Sequence, residues 1–273
     1  MAPPPRLFGI PATGADVVAV LRRGPSGWWH VGRWEVGSRP SYQPGSWVRG
    51  TVYPQRCDLS PDGQWLCYFT LRQRAGWSAG TTYVAVSRLP WATALAAWGT
   101  CGTWTRGVHF VQPAGHEVGA VDEGDDGPLR RRHGLAYVRP ASFAVERRRG
   151  WTETPDSPPA SPQDPWDENR APHVTMQKPQ PGGGPLLQVS GEYAAFRSFD
   201  MARYGEPVYR LVGDRDHPLE GVQWADWSAD GRLLVATLDG RIQVRHGESV
   251  RWEQDLSVLS PDPQPPPPGP SQR

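Results

Sequence analysis

Val222-Gln-Trp-Ala-Asp-Trp-Ser-Ala-Asp-Gly-Arg-Leu-Leu-Val-Ala-Thr-Leu-Asp-Gly-Arg-Ile-Gln-Val-Arg-His-Gly-Glu-Ser-Val-Arg-Trp-Glu253 reads as four consecutive antiparallel strands. Val222 to Trp227 is the first, and Ser228-Ala-Asp-Gly231 turns the chain into a second, Arg232 to Leu238. Asp239-Gly240 is a two-residue hairpin signal, because Gly accepts the positive φ that a type I′ turn needs. Arg241 to Arg245 alternates apolar and polar residues, His246-Gly-Glu248 turns, and Ser249 to Glu253 alternates again. Strands at this spacing form one meander sheet.

The stretch has an echo upstream. Cys57-Asp-Leu-Ser-Pro-Asp-Gly-Gln-Trp-Leu-Cys-Tyr-Phe69 aligns without a gap to Ala225 through Thr237, with Asp58/Asp226, Ser60/Ser228, Asp62/Asp230, Gly63/Gly231 and Leu66/Leu234 identical. Discounting a Pro-rich segment between them, the offset equals about three units of ~45 residues, the spacing of propeller repeats. The two turns, each followed by an apolar strand, resemble the WD40-like repeats of TolB-type β-propellers, a resemblance that implies bacterial origin. It covers two motif copies and implies a ring of antiparallel blades. It says little of function, because such rings serve as scaffolds, sensors and enzymes.

The other strand signals fit that expectation. Asp16–Leu21 and Trp28–Val36 form an N-terminal hairpin, and Thr82–Ser87 continues the unit holding Asp58. Gly107–Val111, Glu117–Val121, Gly134–Val138 and Ser142–Glu146 suggest a third unit; Leu186–Val189, Ala194–Ser198 and Val208–Val212 suggest a fourth. The fold class is therefore all-β, a propeller-like ring of about five four-stranded antiparallel blades with one short helix. That helix is Pro90–Gly99: Pro suits the first helical position, Gly the position past the end, and Trp91, Leu95 and Trp98 fall on one stripe.

Residues 1–258 read as one domain. It is interrupted by a disordered Pro-rich insertion at 152–185 and followed by a Pro-rich tail at 259–273, since neither segment has apolar residues enough to offset the cost of ordering. The composition agrees with a β protein: 273 residues carry 14 Trp, 31 Gly and 31 Pro. Formal net charge is +1, and Lys178 is the only lysine, which reads as the codon bias of a GC-rich genome. Without a basic field, nucleic acid is not an expected partner. Cys57, Cys67 and Cys101 have no paired spacing, so no disulfide framework is expected. No secretory h-region follows Met1 and no apolar run reaches membrane-spanning length, so the expected location is the cytosol, as a monomer.

No catalytic, metal or cofactor motif stands out. Asp58, Ser60, Asp62, Gly63, Asp226, Ser228, Asp230 and Gly231 read as structural residues of the repeated turn: Asp62 and Asp230 as caps of their own turn backbone, Asp58 and Asp226 as local hydrogen-bond anchors. Asp122-Glu-Gly-Asp-Asp126 lacks the alternating oxygen ligands of a calcium loop. Arg130–Arg132 reads as compensation for that acidic run, and Arg147–Arg149 is a second basic run that, with net charge +1 and no interleaved aromatics, is not expected to contact nucleic acid. Trp91, Leu95 and Trp98 are the candidate partner-binding residues. The leading expectation is a non-catalytic interaction scaffold whose partner is another protein, bound without cofactor. Two alternatives stay open: a hydrolase or lyase with a site at the central channel, and a small-ligand sensor.

Overall fold

The computed structural model describes residues 5–72, 81–100, 102, 108–110, 135–137, 143–154, 173–192, 206–213 and 216–262. Its β-branched and aromatic runs pair with their sequence neighbours into antiparallel sheets, four of them with four or five strands. The first holds β1 (Arg6–Pro11), β2 (Val17–Arg23), β3 (Trp28–Glu35) and β4 (Ser41–Arg49). The second holds β5 (Thr51–Val52), β6 (Asp58–Leu59), β7 (Trp65–Leu71), β8 (Thr82–Arg88) and β9 (Ala94–Gly99); β5 and β6 both pair with β7. A two-stranded piece follows, β10 (Val108–Phe110) with β11 (Leu135–Tyr137), then the short helix α1 (Ala144–Arg148). The third large sheet runs β12 (Thr152–Glu153), β13 (His173–Pro179), β14 (Leu186–Glu192), β15 (Val208–Val212) and β16 (His217–Pro218). The last is β17 (Val222–Trp227), β18 (Leu233–Thr237), β19 (Arg241–His246) and β20 (Ser249–Asp255).

Burial falls from the first strands of the last sheet to its final one. β17 and β18 are buried at every residue, whereas β20 is exposed along most of its length. A strand buried on both faces lies between layers, which is why Leu233-Leu-Val-Ala-Thr237 is apolar without alternation. One core cluster joins the first, second and last sheets through Leu7, Ile10, Val20, Leu59, Leu66 and Ile242. A second joins the third and last through Met176, Leu187, Trp227 and Val235.

The first and last sheets meet directly. β17 carries a bulge at Gln223, whose side chain takes up backbone groups that the ladder leaves free. Its Oε1 accepts from Leu7 N–H at 2.9 Å, and its Nε2 donates to Thr237 O at 2.5 Å and Pro5 O at 3.3 Å. Beside it Gly9 lies against the Trp224 indole; a Cβ there would sit 2.5 Å from the ring. Buried Arg22 adds a second tie, donating from Nε to Leu256 O at 2.8 Å and from Nη2 to Leu259 O at 2.8 Å.

Three expectations need correction. Residues 94–99 are a strand and not a helix: they pair with β8, which draws Trp98 into a core cluster with Cys67, Phe69 and Val84. Helix propensity yields there to ladder pairing and burial. The segment 152–185 is not wholly an unstructured insertion, because β12 and β13 lie in it and Lys178 and Gln180 make long-range bonds. The strand expected over Ser142–Glu146 is not found in its described residues: Ala144–Arg148 is helical, entered through Phe143 at φ +54°. Glu117–Val121, Ala194–Ser198, Asp122–Asp126, Arg130–Arg132, Cys101 and the tail beyond 262 lie outside the described residues. Among the described residues no helix is long and apolar enough to cross a membrane.

Gly9→Ala tests the junction of first and last sheets. The methyl group would push β1 off Trp224, an overpacking change worth about 1–3 kcal/mol. Chemical denaturation should show that loss, whereas Gly247→Ala, at an open turn with nothing near its Cβ, should cost mainly backbone strain.

Candidate functional site

The two matched turns have the same construction. Ser60 Oγ donates to Asp62 Oδ1 at 2.5 Å and accepts Trp65 N–H at 2.9 Å; Ser228 Oγ donates to Asp230 Oδ1 at 2.6 Å and accepts Arg232 N–H at 2.9 Å. Gly63 and Gly231 take φ of 69° and 79°, and each N–H bonds back to its serine carbonyl. The carbonyl of each glycine is also held from the sheet that precedes it in sequence. Arg33 Nη1 donates to Gly63 O at 2.5 Å, and Gln180 Nε2 donates to Gly231 O at 2.6 Å. The turns differ by one residue in register: Ser60 pairs with Trp65 but Ser228 with Arg232.

Asp58 and Asp226 lie one step inward from these turns and are buried. Asp58 accepts from Arg149 Nη2 at 2.9 Å, Arg148 Nη1 at 2.7 Å and the backbone N–H of Phe110 at 2.7 Å. Burial would raise its pKa, but the charges and hydrogen bonds of Arg149 and Arg148 outweigh that and hold the carboxyl below its ordinary value. Asp226 accepts from Lys178 Nζ at 2.5 Å, Trp227 N–H at 2.7 Å and Trp151 Nε1 at 3.4 Å. Both carboxylates are thus committed to cations and N–H groups from other elements. The Arg147–Arg149 run is likewise spent, with Arg147 bonded to Glu153. Residues Trp91, Leu95 and Trp98 do not form one stripe. On β9 Leu95 is the extra residue of a bulge opposite Val86 and Ser87 and is 60% exposed, whereas Trp98 pairs with Val84 and is buried.

Sequence reading missed a cavity of about 50 Å³ lined from β1, α1, β13 to β15 and β17. Its lining includes Glu146, Arg149, Trp151, Tyr209, Trp224 and Asp226. Glu146, Arg149 and Trp151 come from α1 and the residues just after it, Tyr209 from β15, and Trp224 and Asp226 from β17; no spacing rule joins these three segments. Each guanidinium nitrogen of Arg149 makes a bond: beyond Asp58, its Nε donates to Pro11 O at 2.5 Å and its Nη1 to Val145 O at 3.0 Å. Glu146 differs. Its Oε2 is buried and makes no hydrogen bond among the described residues. Burial raises the Glu146 pKa, its own backbone N–H and Arg149 oppose this, and the Asp226 charge adds to it. Burial also pushes the Tyr209 hydroxyl up, helped by the Glu146 and Asp226 charges. No group of three or more His, Cys, Asp or Glu among the described residues is arranged to hold a metal ion.

No protein-family model matches the chain, and the comparisons with curated proteins and with solved structures returned no match.

Asp58→Asn should cost about 3–5 kcal/mol at pH 7, since it leaves two arginines without their buried counter-charge. A carboxyl depressed in the folded state stabilises above its unfolded pKa near ~3.9 and loses that contribution as pH falls through the folded value. The gap between wild type and variant should therefore narrow in denaturant titrations carried below about pH 4.

Proposed function

We propose that the chain is a propeller-like, non-catalytic scaffold that binds a protein partner. The observation that carries this reading is the saturation of Asp58 and Asp226, the two carboxylates repeated at equivalent positions. A carboxylate whose oxygens are filled by arginine, lysine and N–H groups anchors structure and does not exchange protons with a substrate. The likeness of the two Asp-Gly turns, the sheets following one another in sequence, and the meeting of the first with the last all support a ring of the WD40-like, TolB type. Rigid sheets of this kind hold loops and outer strands in place for recognition.

The partner surface in this reading is β9. Its sequence, Ala94-Leu-Ala-Ala-Trp-Gly99, carries no charge, it is an outer strand of the second sheet, and it exposes Leu95. Uncharged outer strands offer backbone groups for an added strand. A small-ligand sensor stands as a second reading, favoured by the cavity and the uncommitted oxygen of Glu146.

Two measurements test the scaffold. A protease site inserted after Gln163 and then cut should leave the halves co-eluting in gel filtration, because β12–β13 pairing and the Gln223–Leu7 bond span the break. Halves that separate under native conditions would rule out a single ring. Leu95→Glu should leave stability within about 0.5 kcal/mol and abolish retention of specific proteins from an extract of the source cells, scored by quantitative mass spectrometry. Equal retention by both forms would remove β9 from the reading.

A further inference from the structure

We propose that the cavity beside Glu146 binds a small alkylammonium group, with Glu146 as its counter-charge and the rings of Trp151, Trp224 and Tyr209 as its walls. The inference rests on the sensor reading and is independent of the scaffold.

The charges at the cavity otherwise close on themselves. Arg149 is spent on Asp58 and two carbonyls, and Asp226 is spent on Lys178, Trp151 and the Trp227 N–H. Glu146 is left as the charged lining residue with an open oxygen. A buried polar atom without a partner is costly, and the ligand that relieves it must bring a donor. An alkylammonium brings N–H donors and a positive charge together, and aromatic faces attract such cations most strongly where water is excluded.

Other ligand classes fit less well. An anion would lie against the Glu146 and Asp226 carboxylates, and the Arg149 charge is already met by Asp58. An apolar ligand would leave the Glu146 oxygen unsatisfied. The volume of about 50 Å³ admits a head group of a few heavy atoms, well below the several hundred Å³ of sites for larger organic ligands. The ammonium group can come from a free amine or from the tip of a peptide lysine, and both present the same chemistry.

The test titrates the full chain, by two-dimensional NMR, with methylammonium chloride, ethylammonium chloride and Nα-acetyl-lysine-N-methylamide, against potassium chloride. Saturable shifts with methylammonium are expected, together with intermolecular NOEs from its methyl protons to the Trp224 and Tyr209 rings. Glu146→Gln should weaken binding roughly tenfold or more, the loss of a charge-assisted hydrogen bond. Saturation by the simple amines alone supports a free amine as ligand; saturation by the lysine derivative as well supports a side-chain source. Shifts no larger than those with potassium chloride, NOEs absent from those rings, or equal affinity in Glu146→Gln would each overturn the proposal. Should Glu146→Gln fail to fold, the NOEs of the wild-type protein decide alone. None of these results bears on retention of partners through Leu95.

Discussion

The guanidinium of Arg149 holds together elements far apart in sequence. Its Nη2 meets Asp58 on β6, its Nε meets the carbonyl of Pro11 at the end of β1, and its Nη1 closes back on Val145 in α1. One planar cation therefore fixes the first sheet, the second sheet and the helix relative to one another. The arrangement works because all three nitrogens are bonded within a buried setting, where an unpaired guanidinium or carboxylate would be expensive. It also fixes where α1 sits, and with it the Glu146 carboxyl that faces the cavity. A short helix entered through a left-handed phenylalanine has little stability of its own; its position comes from this ion pair and from Phe143 and Val145 in the core.

Much of the sheet structure was legible in the residues. The alternation of Arg241–Arg245 and the Asp239-Gly240 turn led directly to β18, β19 and β20. The equivalence of the two Asp-Gly turns also extends beyond the residues that match, since the carbonyls of Gly63 and Gly231 receive donors from the preceding sheets. What the alignment did not convey is the one-residue difference in register, because a gapless match says nothing about which backbone groups pair across the turn.

The misreadings share a physical cause. Pro90–Gly99 satisfies local rules for a helix, yet β8 offers a ladder and the core offers a slot for Trp98, and these long-range terms prevail. Lys178 sat in a segment too rich in Pro and Gly to suggest order, but its charge is required by buried Asp226 and its strand by β14. The repetition of Asp58 and Asp226 suggests local hydrogen-bond anchors, whereas most of their partners lie far away in sequence. The cavity was invisible for the same reason. Tyr209 and Trp224 reach Glu146 and Trp151 only after several sheets have packed, and nothing in one-dimensional spacing records that.

The bulge at Gln223 has a temporal consequence. Leu7 N–H waits for an acceptor 216 residues further along the chain, so during synthesis the amino-terminal sheet leaves the ribosome long before its cover exists. Until β17 emerges, Leu7, Ile10 and the face of Gly9 stay wet, and loop closure over such a distance is slow compared with forming any hairpin. Nascent chains of this protein thus carry an uncovered apolar flank until β17 has been made.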